Sequence, residues 1–228
     1  MPRPSLPIAG SSTFTRPIKE WINTINGKKS ELDSLLGTDD LKKRAAAWWE
    51  RAFLRVNARG SDSPAASRPV SEPGVVAALR EIERLIESRG GHANLTPDFL
   101  LVVNNLLRET SEPSNISGAM RRLDIACDWF SADSFNELHA VEQAATVFLR
   151  LAEIGAFEEH NHLTSLLGAS LFTMRDGFPP IIIPPEMGQS TRNAFDEAMR
   201  MNTRPMVELI AGAIEKALAS SIEALTRG

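Results

Sequence analysis

The sequence predicts an all-α protein. Apolar residues recur at spacings of three and four along most of its 228 residues, and no segment alternates strongly between apolar and polar positions as a half-buried strand would. A hydrophobic content of 43%, with 24% charged residues, is enough for a core of ordinary size. We therefore expect one helical domain, or one domain with a small extension.

The charge and cysteine content narrow the classes of partner. The 25 Lys and Arg against 29 Asp and Glu form no long run of one sign, so no nucleic-acid partner is expected. No run approaches the roughly 20 apolar residues of a membrane span. The one cysteine, Cys127, lies in an apolar periodic run and predicts a buried thiol in a reducing compartment such as the cytoplasm. Secretion as an effector and self-association are left open.

The first part of the chain is expected to hold a tail and a helical region. Residues 1–16 contain three prolines and no apolar signal segment, which is typical of a flexible tail. Residues 17–107 form the N-terminal helical region, interrupted by a loop at about 60–74 that is rich in Pro, Ser and Gly. Thr96 should cap the helix that begins at Pro97.

Two further expectations concern side chains of helical segments. Neighbouring residues on a helix point about 100° apart, so Trp48 and Trp49 cannot both face the same core; one of them is a candidate exposed interface anchor, or else it packs over the loop at 60–74. His139 is expected to cap its helix or to pack.

The second part of the chain continues the helical pattern. Helices are expected at about 118–130, 136–153, 162–174, 189–201 and 204–226. Ser134 or Asn136 is a candidate cap for the second of these, and Gly177 a candidate left-handed stop for the third. Four prolines in the eight residues of 178–185 predict an extended segment.

The segment GAFEEHNHLTSLL at 155–167, followed by GFPPIIIP at 177–184, resembles the region around the signature HPFxxGNGRxxR of Fic proteins, also called the Fido fold. Residues 155–166 align with this signature without a gap, and we call them the motif segment. Residues 138–145, 176–180, 195–198 and 204–210 resemble other parts of the family pattern. The resemblance implies a Fido-type helical bundle, with residues 108–228 as a degenerate Fic core.

The resemblance also implies a chemistry that this chain has altered. In Fic proteins the first His of the motif is the general base, the acid before GNGR holds Mg²⁺, the glycines and Asn cradle phosphates, and the arginines clamp them. Gly155 replaces that base, and the two arginine positions hold Leu163 and Leu166. His160 and His162 occupy the two glycine positions. The residues that remain are Phe157, Glu159 and Asn161.

These changes argue against AMP transfer. Losing a general base costs about 10² to 10⁴ in rate, and two imidazoles would occupy the volume where backbone N–H groups receive a diphosphate. ATP and Mg²⁺ are therefore not expected to bind tightly, and the sequence identifies no other cofactor. Only about ten residues, 108–117, are left for the β-hairpin flap along which family targets dock, so this flap is expected to be absent or vestigial.

Three functions follow in order of preference. The first is a regulatory pseudoenzyme that uses the ancestral pocket to bind a small molecule or a protein partner. The second is a repurposed enzyme that acts on a small-molecule or a sugar- or nucleotide-linked substrate. The third is residual nucleotidyl transfer.

The candidate site residues all lie in the motif segment. His160, His162 and Glu159 are the candidate catalytic residues, since an imidazole titrates near neutrality and a neighbouring carboxylate can orient it. The candidate ligand-binding residues are Asn161, Glu158 and Gly155. Glu159 is also a candidate metal ligand, because carboxylates and imidazoles within five residues can converge on a divalent ion.

Overall fold

The computed structural model describes residues 17–57, 71–110, 114 and 116–227. Within these residues the chain is helical and contains no strand, which confirms the predicted all-α class. The α-helices are α1 (Ile18–Leu35), α2 (Asp39–Asn57), α3 (Glu72–Arg89), α4 (Pro97–Arg108), α5 (Met120–Phe130), α6 (Asp133–Asn136), α7 (Ala140–Ile154), α8 (Asn161–Arg175), α9 (Gly188–Ala198) and α10 (Arg204–Thr226). The predicted tail at 1–16 and residues 60–70 of the predicted loop lie outside the described residues.

Helix α8 forms the centre of the bundle. Every residue from Leu163 to Thr173 is buried, so the helix is covered on all sides. Helices α7, α3 and α4 pack against it, while α10 packs on α7, α9 and α1. At its C-terminal end, the ring of Phe172 lies 6.3 Å from that of Phe130 and 5.8 Å from that of Phe135. The motif segment therefore leads directly into the core.

The segment predicted to be extended at 178–185 contains no helix at 178–184, but Pro185 begins a short 3-10 helix that ends at Met187; hydrogen bonds tie the segment to α8. The Ser170 hydroxyl accepts a hydrogen bond from the Ile181 N–H at 3.0 Å, and the Thr173 hydroxyl donates to the Pro179 carbonyl at 2.9 Å. Gly177 has φ +78°, which confirms it as the left-handed stop of α8. These contacts satisfy backbone groups that no helix or strand partner could reach.

The observed first residues of the helices agree in part with those predicted from the sequence. Thr96 caps α4 by accepting a hydrogen bond from the Phe99 N–H at 3.1 Å, as predicted. Helix α3 begins at Glu72, earlier than expected, because Ser71 caps it and Pro73 is tolerated in a first turn. The predicted loop therefore does not extend to residue 74.

The cap of α7 is His139, and neither Ser134 nor Asn136 serves, because both lie in the short helix α6. His139 Nδ1 accepts a hydrogen bond from the Val141 N–H at 3.3 Å, and the Glu142 carboxylate accepts one from the His139 N–H at 3.3 Å. This reciprocal arrangement is a capping box. The expectation that His139 caps its helix is confirmed.

The expectation that Trp48 or Trp49 is exposed is wrong. Both are half-buried, because α10 covers this side of α2, and Trp49 Nε1 donates a hydrogen bond to the Ser221 hydroxyl at 2.8 Å. The tryptophan that faces solvent is Trp129, with 48% of its surface exposed. Cys127 is buried as predicted, and burial, with Asp124 and Asp128 nearby, raises the pKa of its thiol to about 12.

The sequence predicts no membrane span, and this concerns the helices of the described ranges. None of them combines the length and the apolar character that crossing a bilayer requires.

Candidate functional site

The motif segment is a six-residue turn followed by the first helical turns of α8. It begins at Gly155, which ends α7 in the left-handed conformation with φ +59°. It enters α8 through His160, which has φ +56° at the N-cap position. Positive φ is uncommon for residues other than glycine. Position 160 thus has a backbone conformation that glycine adopts readily, although a histidine occupies it.

Gly155 provides no acid or base. A Cβ atom built on this residue would meet backbone oxygens only at 3.9 Å or beyond, so the surrounding space is open. The obstacle to a side chain is the positive φ, which costs about 1 to 3 kcal/mol for a residue other than glycine. Gly155 therefore ends α7 and is exposed to solvent. Its ligand-binding role stays a prediction.

The two positions that the resemblance assigns to arginines are part of the core. Leu163 is 8% exposed and Leu166 is 1% exposed. An arginine at either position would bury a guanidinium among apolar side chains, which is costly without a charged partner. The local fold therefore favours leucine at both positions.

Glu159 is held by helix α4. Its Oε2 lies 3.3 Å from Arg108 Nε, and both side chains are partly exposed, at 34% and 24%. Its backbone carbonyl accepts a hydrogen bond from Asn104 Nδ2 at 2.9 Å. The carboxylate predicted as a metal ligand or catalytic group thus already has a cationic partner. Among the residues that the structure describes, no group of three or more His, Cys, Asp or Glu side chains is arranged to hold a metal ion.

Asn104 is the residue of this region that the sequence analysis missed. It is fully buried, and its Nδ2 also donates to the Thr164 hydroxyl at 3.0 Å, while its Oδ1 accepts from the Ser114 hydroxyl at 2.5 Å. Ser114 accepts in turn from Arg108 at 3.0 Å. The signal was present in the sequence, because Asn104 is a polar residue at the apolar spacing of Leu100 and Leu107. Such a residue in a core needs specific partners.

Asn161 and Glu158 differ in their surroundings. The Asn161 amide oxygen accepts a hydrogen bond from the Phe157 N–H at 3.2 Å, so it stabilises the turn itself. Phe157 is buried, as expected of a core anchor. Glu158 is exposed to solvent. The predicted ligand-binding role of both Asn161 and Glu158 stays a prediction.

His162 packs against two aromatic rings. Its ring centroid lies 5.0 Å from that of Phe148 on α7, edge to face, and 6.3 Å from that of Phe195 on α9. His162 as a residue is exposed to solvent, and the aromatic packing desolvates its ring only in part, which lowers the pKa of His162 below its ordinary value of 6.5. The neutral form is therefore favoured near pH 7. The cause is this partial desolvation by the aromatic rings.

The candidate catalytic residues therefore contact different parts of the fold. Glu159 is joined to α4, while His162 packs on α7 and α9, and no hydrogen bond or ion pair of the described residues joins the two. Two cavities of the described part of the chain have volumes of about 170 Å³, between α2 and α10, and about 530 Å³, between α3 and α4. No residue of the motif segment lines either cavity.

The Asn104 contacts generate the first prediction. Replacement Asn104→Ala should lower the free energy of unfolding by about 1 to 3 kcal/mol, because it leaves the Glu159 carbonyl and the Thr164 hydroxyl without their buried partner. The matched control is Asn193→Ala on the exposed side of α9, for which we expect a change within about 0.5 kcal/mol. Urea unfolding of the three proteins measures the difference. Equal midpoints for the two variants would contradict the prediction.

His162 generates a prediction about pH. Because its pKa is lower in the folded state, the unfolded chain binds more protons just below pH 6.5, and the free energy of unfolding should fall as the pH is lowered through this range. Above about pH 7.5 this contribution is constant. His162→Gln should make the pH dependence shallower, whereas the exposed His92→Gln should leave it unchanged. Thermal melts between pH 5 and 8 test this; a residual slope is expected from His139, whose pKa burial also lowers.

The chain resembles known proteins in sequence and in structure. No family model matches the chain. The curated relatives include the proteins named protein adenylyltransferase Fic of Drosophila willistoni and of Drosophila melanogaster, which are 32% and 31% identical over 106 residues. This match covers 46% of the chain and spans about a fifth (21%) of the length of each relative.

Solved structures match over most of the chain. Fic-1 from C. elegans superimposes with a TM-score of 0.74 at 19% identity, over 90% of this chain and 72% of that one. A Fic domain containing signaling protein from Bacteroides thetaiotaomicron gives 0.70 at 15% identity, over 90% and 97%. These structures share the fold predicted from the motif segment and its flanking helices. The local sequence similarity to proteins named Fic adenylyltransferase and the fold shared with the Fic structures agree with the resemblance of the motif segment to the Fic/Fido family.

Proposed function

We propose that this chain is a Fic-fold protein that has lost AMP transfer to protein hydroxyls and uses the inherited scaffold to bind a small molecule or a protein partner. The observation that carries the proposal is the burial of Leu163 and Leu166 at the positions where the family resemblance places the phosphate-clamping arginines. These side chains belong to the core of α8. Charge that develops on a transferred phosphoryl group would have no guanidinium from either position.

The loss of the base adds to the loss of the clamp. Gly155 has no side chain that can accept a proton. A missing general base costs about 10² to 10⁴ in rate, and a missing arginine at a phosphoryl group costs about 10³ to 10⁵. Together these losses support a protein without measurable AMP transfer.

The residues present do not fit a bound Mg²⁺–ATP. The carboxylate of Glu159 is paired with Arg108, so a metal ion would have to displace a guanidinium that is itself hydrogen-bonded to Ser114. His160 and His162 carry imidazoles where the family has glycines. We therefore assign no step to ATP or to a metal ion.

The same proposal includes a division of the chain into two regions and a reducing compartment. We keep the division into an N-terminal helical region at 17–107 and a degenerate core at 108–228, in which the first helices cover α10 through contacts such as Trp49 with Ser221. The buried free thiol of Cys127 supports a reducing compartment such as the cytoplasm.

One observation favours a second candidate, a repurposed enzyme in which His162 is the general base. Burial against Phe148 and Phe195 lowers the pKa of His162, so a neutral, partly accessible imidazole is available near pH 7. His160 and Glu159 lie within three residues of it on the chain. In this reading the substrate is a small molecule or a sugar- or nucleotide-linked compound, bound at the open side of the motif segment.

Loss of AMP transfer is tested directly with ATP labelled at the α-phosphate. The chain, Mg²⁺ and a cell lysate should give no label above background, because base and clamp are both missing. Gly155→His should not restore labelling, since Leu163 and Leu166 remain and the positive φ at 155 strains the new side chain. A Fic adenylyltransferase of known activity, run in parallel, shows that the lysate holds targets. Clear labelling by the native chain would overturn the proposal.

The second candidate is separated from the first by the double variant His160→Ala, His162→Ala. A thermal-shift screen with nucleotides, sugar nucleotides and divalent metals first identifies a compound, and turnover of that compound is then followed. For a binding protein we expect a melting shift without turnover, in native chain and variant alike. Turnover that disappears in the variant, while its melting temperature stays within a few degrees, would favour the enzyme.

A further inference from the structure

Helix α2 presents a basic and aromatic face that is remote in sequence from the motif segment. Arg44, Trp48 and Arg51 are spaced by four and three residues, so they lie on the same side of the helix. All three line the cavity of about 170 Å³ between α2 and α10. The opposite wall is formed by Ser221, Ala224 and Leu225 of α10.

The two arginines are available for a ligand. Within the described residues neither Arg44 nor Arg51 makes an ion pair, and both are exposed to solvent. Glu50, next to Arg51 in the sequence, pairs with Arg80, and Glu223 of α10 pairs with Arg227, while Asp40, one turn before Arg44, is exposed and forms no ion pair among the described residues. A cavity with two positive charges and no acidic residue in its lining attracts an anion.

The walls of the cavity are held in place. The Ser221 hydroxyl accepts a hydrogen bond from Trp49 Nε1 and donates one to the Ala217 carbonyl, each at 2.8 Å. Trp49 therefore ties α2 to α10, while its neighbour Trp48 is left to line the cavity. A half-buried indole offers an apolar face to a flat or alkyl group.

The volume and charge select the class of ligand. A cavity of about 170 Å³ has room for about five or six water-sized groups at about 30 Å³ each, which suits a tetrahedral oxyanion on a short stem. It is smaller than the roughly 300 to 1,000 Å³ of a pocket for a drug-sized ligand. A phosphomonoester carries about −1.5 to −2 charges at pH 7, which matches two guanidinium groups.

We propose that Arg44, Trp48 and Arg51 form a binding site for a small phosphomonoester with a flat apolar body, in which the arginines bind the phosphate and Trp48 contacts the body. Because the lining offers two guanidinium groups and one indole, the occupant we infer is a free small molecule with one phosphate and one flat group, and a phosphorylated side chain is an outcome of the test. This site does not involve the motif segment, so it stands or falls independently of the loss of AMP transfer.

Calorimetric titration of the full chain tests the site with phenyl phosphate as the probe. We expect phenyl phosphate to bind more tightly than inorganic phosphate, phenol not to bind, and the affinity to fall with added salt. Arg44→Gln and Arg51→Gln should each weaken binding about tenfold or more. The matched control Lys43→Gln removes the same charge from an exposed neighbouring position of α2 that does not line the cavity, and should bind like the native chain.

A third variant tests the proposed contact between Trp48 and the apolar body of the ligand. Trp48→Leu should weaken phenyl phosphate while leaving the affinity for inorganic phosphate unchanged, and melting curves confirm that each variant is folded. Absence of phenyl phosphate binding to the native chain would overturn the proposal. Equal effects of Lys43→Gln and Arg51→Gln would overturn it as well, because they would indicate general surface charge. Tighter binding of a phosphotyrosine peptide than of phenyl phosphate would also overturn it, in favour of a protein partner.

Discussion

Helix α8 can be buried on every side only because its residues from Leu163 to Thr173 are apolar, small or able to satisfy their own hydroxyl groups. Ser165 and Ser170 return hydrogen bonds to carbonyls one turn earlier, and Thr173 bonds both Ser170 and the extended segment. Gly168 lets Leu151 and Leu100 approach within contact distance. The packing of the surrounding helices depends on this central helix, because each of its faces is a surface for a neighbour.

The same constraint separates the residues that hold this fold together from those that the family resemblance assigns to catalysis. Leu163 and Leu166, at the positions where the resemblance places arginines, add apolar area to the core. The turn before α8 retains left-handed backbone at 155 and 160 and is held by Asn104 and Arg108 from α4. These contacts stabilise the fold, and a fold by itself does not specify an activity.

Charge and aromatic surface are distributed unevenly over the molecule. At the motif segment, Glu159 and Arg108 neutralise each other and His162 packs against aromatic rings. At the seam between α2 and α10, two arginines flank an indole without an ionic partner among the described residues. A polar group that is already satisfied gains little from a ligand, whereas an unpaired guanidinium gains a charge-assisted hydrogen bond. We therefore expect the cavity between α2 and α10, and not the motif segment, to bind anions.

The sequence by itself was sufficient to predict local features of the chain. The helical periodicity, the cap at Thr96, the left-handed stop at Gly177, the extended proline segment and the family signature all depend on residues within a few positions of each other. The cap of α7 was predicted in part, because His139, Ser134 and Asn136 all satisfy the local criteria. Only the formation of the short helix α6 excluded the last two.

Contacts between distant residues were decided by the tertiary structure. Asn104 is 55 residues from Glu159, and Trp49 is 172 residues from Ser221. The way in which the helices cross decides which of two adjacent tryptophans bonds to α10 and which carboxylate pairs with an arginine. It also decides which histidine packs against aromatic rings. Crossing geometry arises from the packing of whole helix surfaces, and no short stretch of sequence contains that information.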